Sequence, residues 1–151
     1  MLLSLLTGCD PCTLHGSATC FETPADDIES FDVTVETGLD GTDADIFFCV
    51  TTRDASDGTC EMMDRPLEDD FEPRSIQEYR VFIPVAAGQL TGFFVQNRGG
   101  AIFGNNDWQL AGLLVSANSA LGSTRLYDEP QITCARNVDN GDTYMTLDCG
   151  W

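Results

Sequence analysis

The chain predicts an all-β fold, an antiparallel β-sandwich of about eight strands. Three observations carry this. Phe31, Val33 and Val35 alternate with Asp32, Thr34 and Glu36, the period of a half-buried strand. Clusters of Gly, Pro, Asn and Asp recur at short intervals, as turns between short strands do. No stretch of about eleven residues or more shows a helical period.

Taken in order, the N-terminus comes first. Leu2 to Leu6 are apolar apart from one Ser, and Leu6-Thr7-Gly8-Cys9 resembles the bacterial lipobox. That resemblance implies cleavage before Cys9, lipidation of its thiol, and residues 1–8 as the remnant of a signal peptide. It departs from the pattern in having only eight preceding residues and no basic segment. Residues 9–27 carry Pro, Ser, Thr, Gly and acids without periodicity and read as a tether. The domain then runs over 28–151.

Strand candidates are 29–37, 44–53, 58–63, 76–84, 88–97, 108–116, 121–127, 131–136 and 143–149. Gly38 and Gly41 punctuate the loop after the first, where positive φ is expected of them. Asp54-Ala-Ser-Asp-Gly58 turns the chain between the second and third. Acids and Pro73 allow a short helical turn over 68–76. Gln96 to Asp107 is a Gly- and Asn-rich loop with Ile102 and Phe103 at its centre, and Asp139-Asn-Gly-Asp142 makes the last turn. The alternation predicts a core of Phe31, Val33, Val35, Ile46, Phe48, Val50, Tyr79, Val81, Ile83, Leu110, Leu113 and Val115. Phe93, Phe94, Phe103 and Trp108 fit either that core or a contact surface.

Composition limits the function. The 151 residues suit one domain, and the 42% hydrophobic content suits a globular one. Asp and Glu number 25 against 7 basic residues, a net charge of −18. All the basic residues are Arg. Such a polyanion repels phosphate backbones, which argues against nucleic acid, and anionic lipid unless a bound cation intervenes. Without Lys there is no Schiff base and no P-loop. The single histidine, His15, lies in the tether, and no Gly-x-Ser-x-Gly elbow occurs. The expectation is a non-catalytic protein.

The seven cysteines are Cys9, Cys12, Cys20, Cys49, Cys60, Cys134 and Cys149. With Cys9 acylated, six remain for three disulfides in an oxidising compartment. Cys49 and Cys60 flank a turn, as do Cys134 and Cys149, and Cys12 and Cys20 would close a small loop. The expected pairing is 12–20, 49–60 and 134–149, among the 15 possibilities.

Asp40, Thr42 and Asp43 gather hard oxygen donors in a Gly-bounded loop. This suits calcium better than a transition metal, while a solvated acidic turn is the plainer reading. A Val-x-Val-x-Thr-Gly strand with Gly-Thr-Asp-Ala after it is one motif; Asp64-Arg-Pro-Leu-Glu-Asp-Asp-Phe71 before Ser75-Ile-Gln-Glu-Tyr-Arg-Val-Phe82 is a second. Asn-Asp-Trp108 before an apolar strand is the third. In that order, over roughly Ile28 to Val115, they resemble the PLAT, or lipoxygenase homology, domain. The resemblance implies a β-sandwich that binds lipid surfaces or protein partners, often with calcium. Its calcium ligands would be Asp40, the Gly41 carbonyl, Thr42, Asp43, Asn106 and Asp107. Asp64 and Asp70 match acidic positions of a second calcium site, and Phe103 and Trp108 would contact lipid or partner. The expected protein is therefore a lipid-anchored, exported binding module of a bacterial envelope or periplasm. A disulfide-stabilised structural or adaptor component is the alternative.

Overall fold

The structure, a computed structural model, describes residues 18–65, 69–100, 107–132 and 136–151. It is an antiparallel sandwich of two sheets. The strands are β1 (Thr19–Cys20), β2 (Ile28–Thr37), β3 (Ile46–Thr52), β4 (Thr59–Met62), β5 (Ile76–Val81), β6 (Leu90–Asn97), β7 (Gln109–Ser119), β8 (Gly122–Glu129), β9 (Arg136–Asn137) and β10 (Thr143–Met145). One sheet runs β1-β8-β7-β2-β5, with β9 also on β7; the other runs β10-β6-β3-β4.

Alternation places the core between them. All twelve residues expected inside are buried. Phe31, Phe48, Phe93 and Tyr127 form a chain of rings across the interior, with centroids 5.5–5.6 Å apart. Phe93 thus belongs to the core, and Phe94 on the opposite face is half-buried. Leu110 and Leu113 are both buried although three residues apart. A bulge explains this: Glu36 pairs with Gly112 and Thr37 with Leu110, so Ala111 is an extra residue. A second bulge leaves Leu126 and Tyr127 adjacent yet both buried.

Residues 68–76 do not form a helical turn among the described positions. They make two tight turns, with Phe71 and Arg74 in the left-handed region at φ 56° and 60°. A bulky side chain there is strained and persists because its surroundings hold it.

Two disulfides are described. Cys49 and Cys60 sit opposite each other on β3 and β4 and are bonded, the pairing their turn suggests. Replacing both with alanine should cost about 3 kcal/mol, the loop-closure value for this short span. A loss below 1 kcal/mol in urea denaturation would contradict that. Cys20, in contrast, bonds to Cys149. This corrects the expected 12–20 and 134–149 pairs; Cys12 and Cys134 lie outside the described residues, as does Cys9. The reason is long-range. β1 pairs with β8 and brings Cys20 to the C-terminal segment, which turn spacing cannot reveal. Residues 19–20 therefore belong to the sheet and not to a tether. Two disulfides fit an exported protein.

Candidate metal-binding end of the sandwich

The β2–β3 connection, the turn before β5, the described ends of the β6–β7 connection (98–100 and 107–108) and the turn before β10 meet at one end. This follows from register, since Thr37 pairs with Leu110 and Ile46 with Asn97. The Gly38 N–H donates to the Gln109 carbonyl at 2.8 Å, and the Gln109 N–H to the Asp40 carbonyl at 3.0 Å. The Gln109 side chain also accepts from the Leu39 N–H at 2.7 Å. Asp40 and the Asp107–Gln109 stretch are thus neighbours.

Gly38 and Gly41 do not use positive φ, contrary to expectation. Close approach requires them instead. A Cβ on Gly38 would strike the Gln109 side chain, and one on Gly41 would lie 2.7 Å from Pro73 Cδ and nearer still to the Phe71 carbonyl. The Thr42 N–H donates to that carbonyl at 3.2 Å. Thr42 Oγ1 turns back to accept from the Ala44 N–H at 3.0 Å. The Gly-Thr-Asp loop is thereby stapled to the turn before β5.

Between them lies a cleft of about 280 Å³ whose lining includes Asp43, Asp45, Asp64, Asp69 and Asp70. Asp64 and Asp70, expected at a separate site, share it with Thr42 and Asp43. Asp40 and Glu72 line a neighbouring hollow on the other side of Thr42 and Asp43. Asp69 holds the Glu72 carboxyl above its usual range, with a further contribution from Asp43. Like charges are therefore crowded here. Asp70 accepts from the Tyr79 hydroxyl at 2.9 Å and from the Arg65 N–H at 3.0 Å, so its position is fixed. Asp107 lines neither hollow and lies near Asp139 and Asp142; burial first, then the charges of Asp107 and Asp142, raise the Asp139 carboxyl. Asn106 and Phe103 lie outside the described residues. Sequence reasoning missed Asp45, Asp69 and Glu72. Asp45 has a signal, standing two residues after Asp43 at the mouth of β3; Glu72 has none.

These oxygens fit a hard cation in kind. Among the described residues, however, no three carboxylate, His or Cys side chains gather closely enough to hold one. Trp108 also corrects an expectation. It is 1% exposed, so it cannot touch a lipid or partner in this conformation. Its Nε1 donates to Thr37 Oγ1 at 3.1 Å, and its ring meets Phe71 edge-on at 5.2 Å.

Burial, followed by the bonded carboxylates Asp70 and Glu129, pushes the Tyr79 and Tyr127 hydroxyls far up. Both stay protonated in the fold above pH ~10, where unfolded tyrosine loses its proton. Their contribution to stability is complete below that pH and falls above it, by up to about 1.4 kcal/mol per pH unit for each. Tyr79→Phe should reduce this alkaline slope by up to about 1.4 kcal/mol per pH unit in a denaturation series carried from pH ~9 to ~11. An unchanged slope would refute the assignment.

No protein-family model matches the chain, and no curated protein matches it in sequence. Solved structures do match in shape. Alpha toxin from Clostridium absonum superposes with TM-score 0.66 and 17% identity over 83% of this chain. Alpha toxin from an avian strain of Clostridium perfringens gives 0.60 and 19% over 82%. A deletion variant of a lipoxygenase gives 0.56 and 23% over 77%. The chain spans 33% of each toxin and 16% of the lipoxygenase. At these identities the likeness is one of fold, and the fold is a PLAT-like β-sandwich.

Proposed function

We propose that this domain is a non-catalytic binding module that docks on a lipid surface or a protein partner with the help of calcium. The observation that carries the reading is the carboxylate-lined cleft at the loop end of a PLAT-like sandwich. Asp43, Asp45, Asp64, Asp69 and Asp70 supply hard oxygens, and the crowding of Asp69 and Glu72 is a repulsion that a cation relieves. Closing Asp43 and the 69–72 turn over one ion would complete a ligand set, and the Gly41 carbonyl and Asp40 stand on the other side of the same loop. We further propose that the protein is exported and anchored through a lipid on Cys9. Mass spectrometry of the mature N-terminus tests that anchor, and an unmodified Cys9 on an uncleaved chain would remove it.

Calcium should raise the melting temperature, because a ligand bound only to the folded state stabilises it by mass action. Magnesium should do so less, since it dehydrates reluctantly and demands tight octahedral geometry. Asp43→Ala should blunt the calcium shift, while Asp26→Ala, at the opposite end of the sandwich, should leave it intact. Liposome co-sedimentation with calcium and with chelator then separates lipid from protein recognition. Calorimetry showing neither heat nor stabilisation at millimolar calcium would leave the structural or adaptor reading. That second reading has its own support: two disulfides secure the sandwich without any metal.

A further inference from the structure

The outer face of the β1-β8-β7-β2-β5 sheet carries a groove of about 180 Å³, remote in composition from the acidic cleft. Register builds it. Glu36 on β2 lies between Ile76 on β5 and Gly112 on β7, and Thr34 lies between Glu78 and Leu114. Leu114 in turn faces Asp128 on β8. Gly112 leaves the dent. A Cβ there would sit 3.1 Å from the Glu36 Cβ and from the Pro130 carbonyl. The walls are apolar, from Ile76, Leu114 and Pro130, and Ile76 is 69% exposed. The rim is acidic, from Glu36 and Asp128, with Glu78 next along β5.

Charge decides the occupant. Among the described side chains, the arginines on these strands are engaged already: Arg80 bonds to Asp32 at 2.7 Å, and Arg125 lies 3.4 Å from Asp128. Glu36 makes no ion pair among the described residues. The chain has no Lys and a net charge of −18, so a cation for this rim comes from outside. An anionic lipid would bring phosphate to a carboxylate rim and be repelled, and a choline headgroup would find none of the aromatic rings that seat quaternary ammonium groups, since no aromatic ring lines this groove. A lysine side chain fits both parts, with an apolar four-carbon stem and a compact ammonium at its end.

We propose that this groove seats a lysine side chain presented by a partner protein. The stem lies along Ile76, Leu114 and Pro130, and the ammonium reaches Glu36. The surface is independent of the calcium reading and stands if that reading fails.

The test is an NMR titration of the ¹⁵N-labelled full chain with three capped tripeptides, Ala-X-Ala. X is lysine, 2,3-diaminopropionic acid (the same charge on a one-carbon stem when titrated at about pH 5.5, where its less basic amine is protonated) or norleucine (a stem without charge). The lysine peptide should shift the amides of 34–36, 76 and 112–114 and half-saturate at the lowest concentration of the three. Glu36→Gln should weaken it by about two- to fivefold, the size of an exposed ion pair. Ile76→Ser, on an exposed side chain that folding does not need, should erase the advantage of lysine over diaminopropionate. Equal half-saturation for those two peptides would mean attraction by charge alone and would overturn the proposal. So would shifts centred on residues 43–72, or none at the groove.

Discussion

Replacing Cys20 and Cys149 together with serine is expected to destabilise the protein by about 4–5 kcal/mol. The bond joins residues separated by 129 positions. The unfolded chain gains entropy with the logarithm of the loop that is released, so this bond contributes more than the 11-residue span of Cys49–Cys60. Local packing adds to the loss. The bond holds β1 against β8, where Trp151 donates to the Phe21 carbonyl at 2.9 Å and lays its ring 5.5 Å from Phe93. Urea denaturation should show a lower midpoint and a larger m, because the open unfolded chain exposes more surface. A loss no greater than that of the Cys49–Cys60 pair would contradict the entropic account.

Trp108→Ala should cost about 3–5 kcal/mol, the usual range for emptying a large aromatic site. Its neighbours make the effect specific. Phe71 stacks on Tyr79 at 5.2 Å and meets Trp108 edge-on, and this enclosure holds its left-handed backbone. The Phe71 carbonyl also accepts from the Thr42 N–H, and the Phe71 N–H donates to Gln77 Oε1 at 2.6 Å. The strained turn, the Gly-Thr-Asp loop and the tryptophan therefore move together. Calcium affinity should fall in Trp108→Ala although the residue touches no ligand oxygen. Trp108→Phe should keep most of the packing and lose the bond to Thr37, at about 1–2 kcal/mol. If Trp108→Ala cost under 1 kcal/mol, the tryptophan would be a surface residue after all.

The sandwich was legible because period-two alternation is local and one register error would turn every side chain over. Phe31, Val33 and Val35 therefore announced their own face. Leu110 and Leu113 broke the period, and the bulge at Ala111 that reconciles them depends on a partner strand some 75 residues away. The Cys20–Cys149 bond was hidden for the same reason, since spacing speaks only of neighbours in sequence. At the loop end, the identity of the acids was visible but their grouping was not. Asp64 and Asp70 join Asp43 because Gly41 allows the Phe71 backbone to press against it, a contact that resembles any loop glycine in the sequence. Trp108 was ambiguous because a tryptophan beside polar loops suits a surface or a core equally well. Only the Thr37 hydroxyl beneath it, far earlier in the chain, settles which.

The Cys20–Cys149 bond also changes how the protein carries load. Tension applied from outside the two cysteines passes across the sulfur bridge and bypasses both sheets. Contour length on the order of 400 Å, the extended reach of the enclosed chain, is locked away until that bridge is reduced. A pull between the two flanks then leaves the sandwich closed.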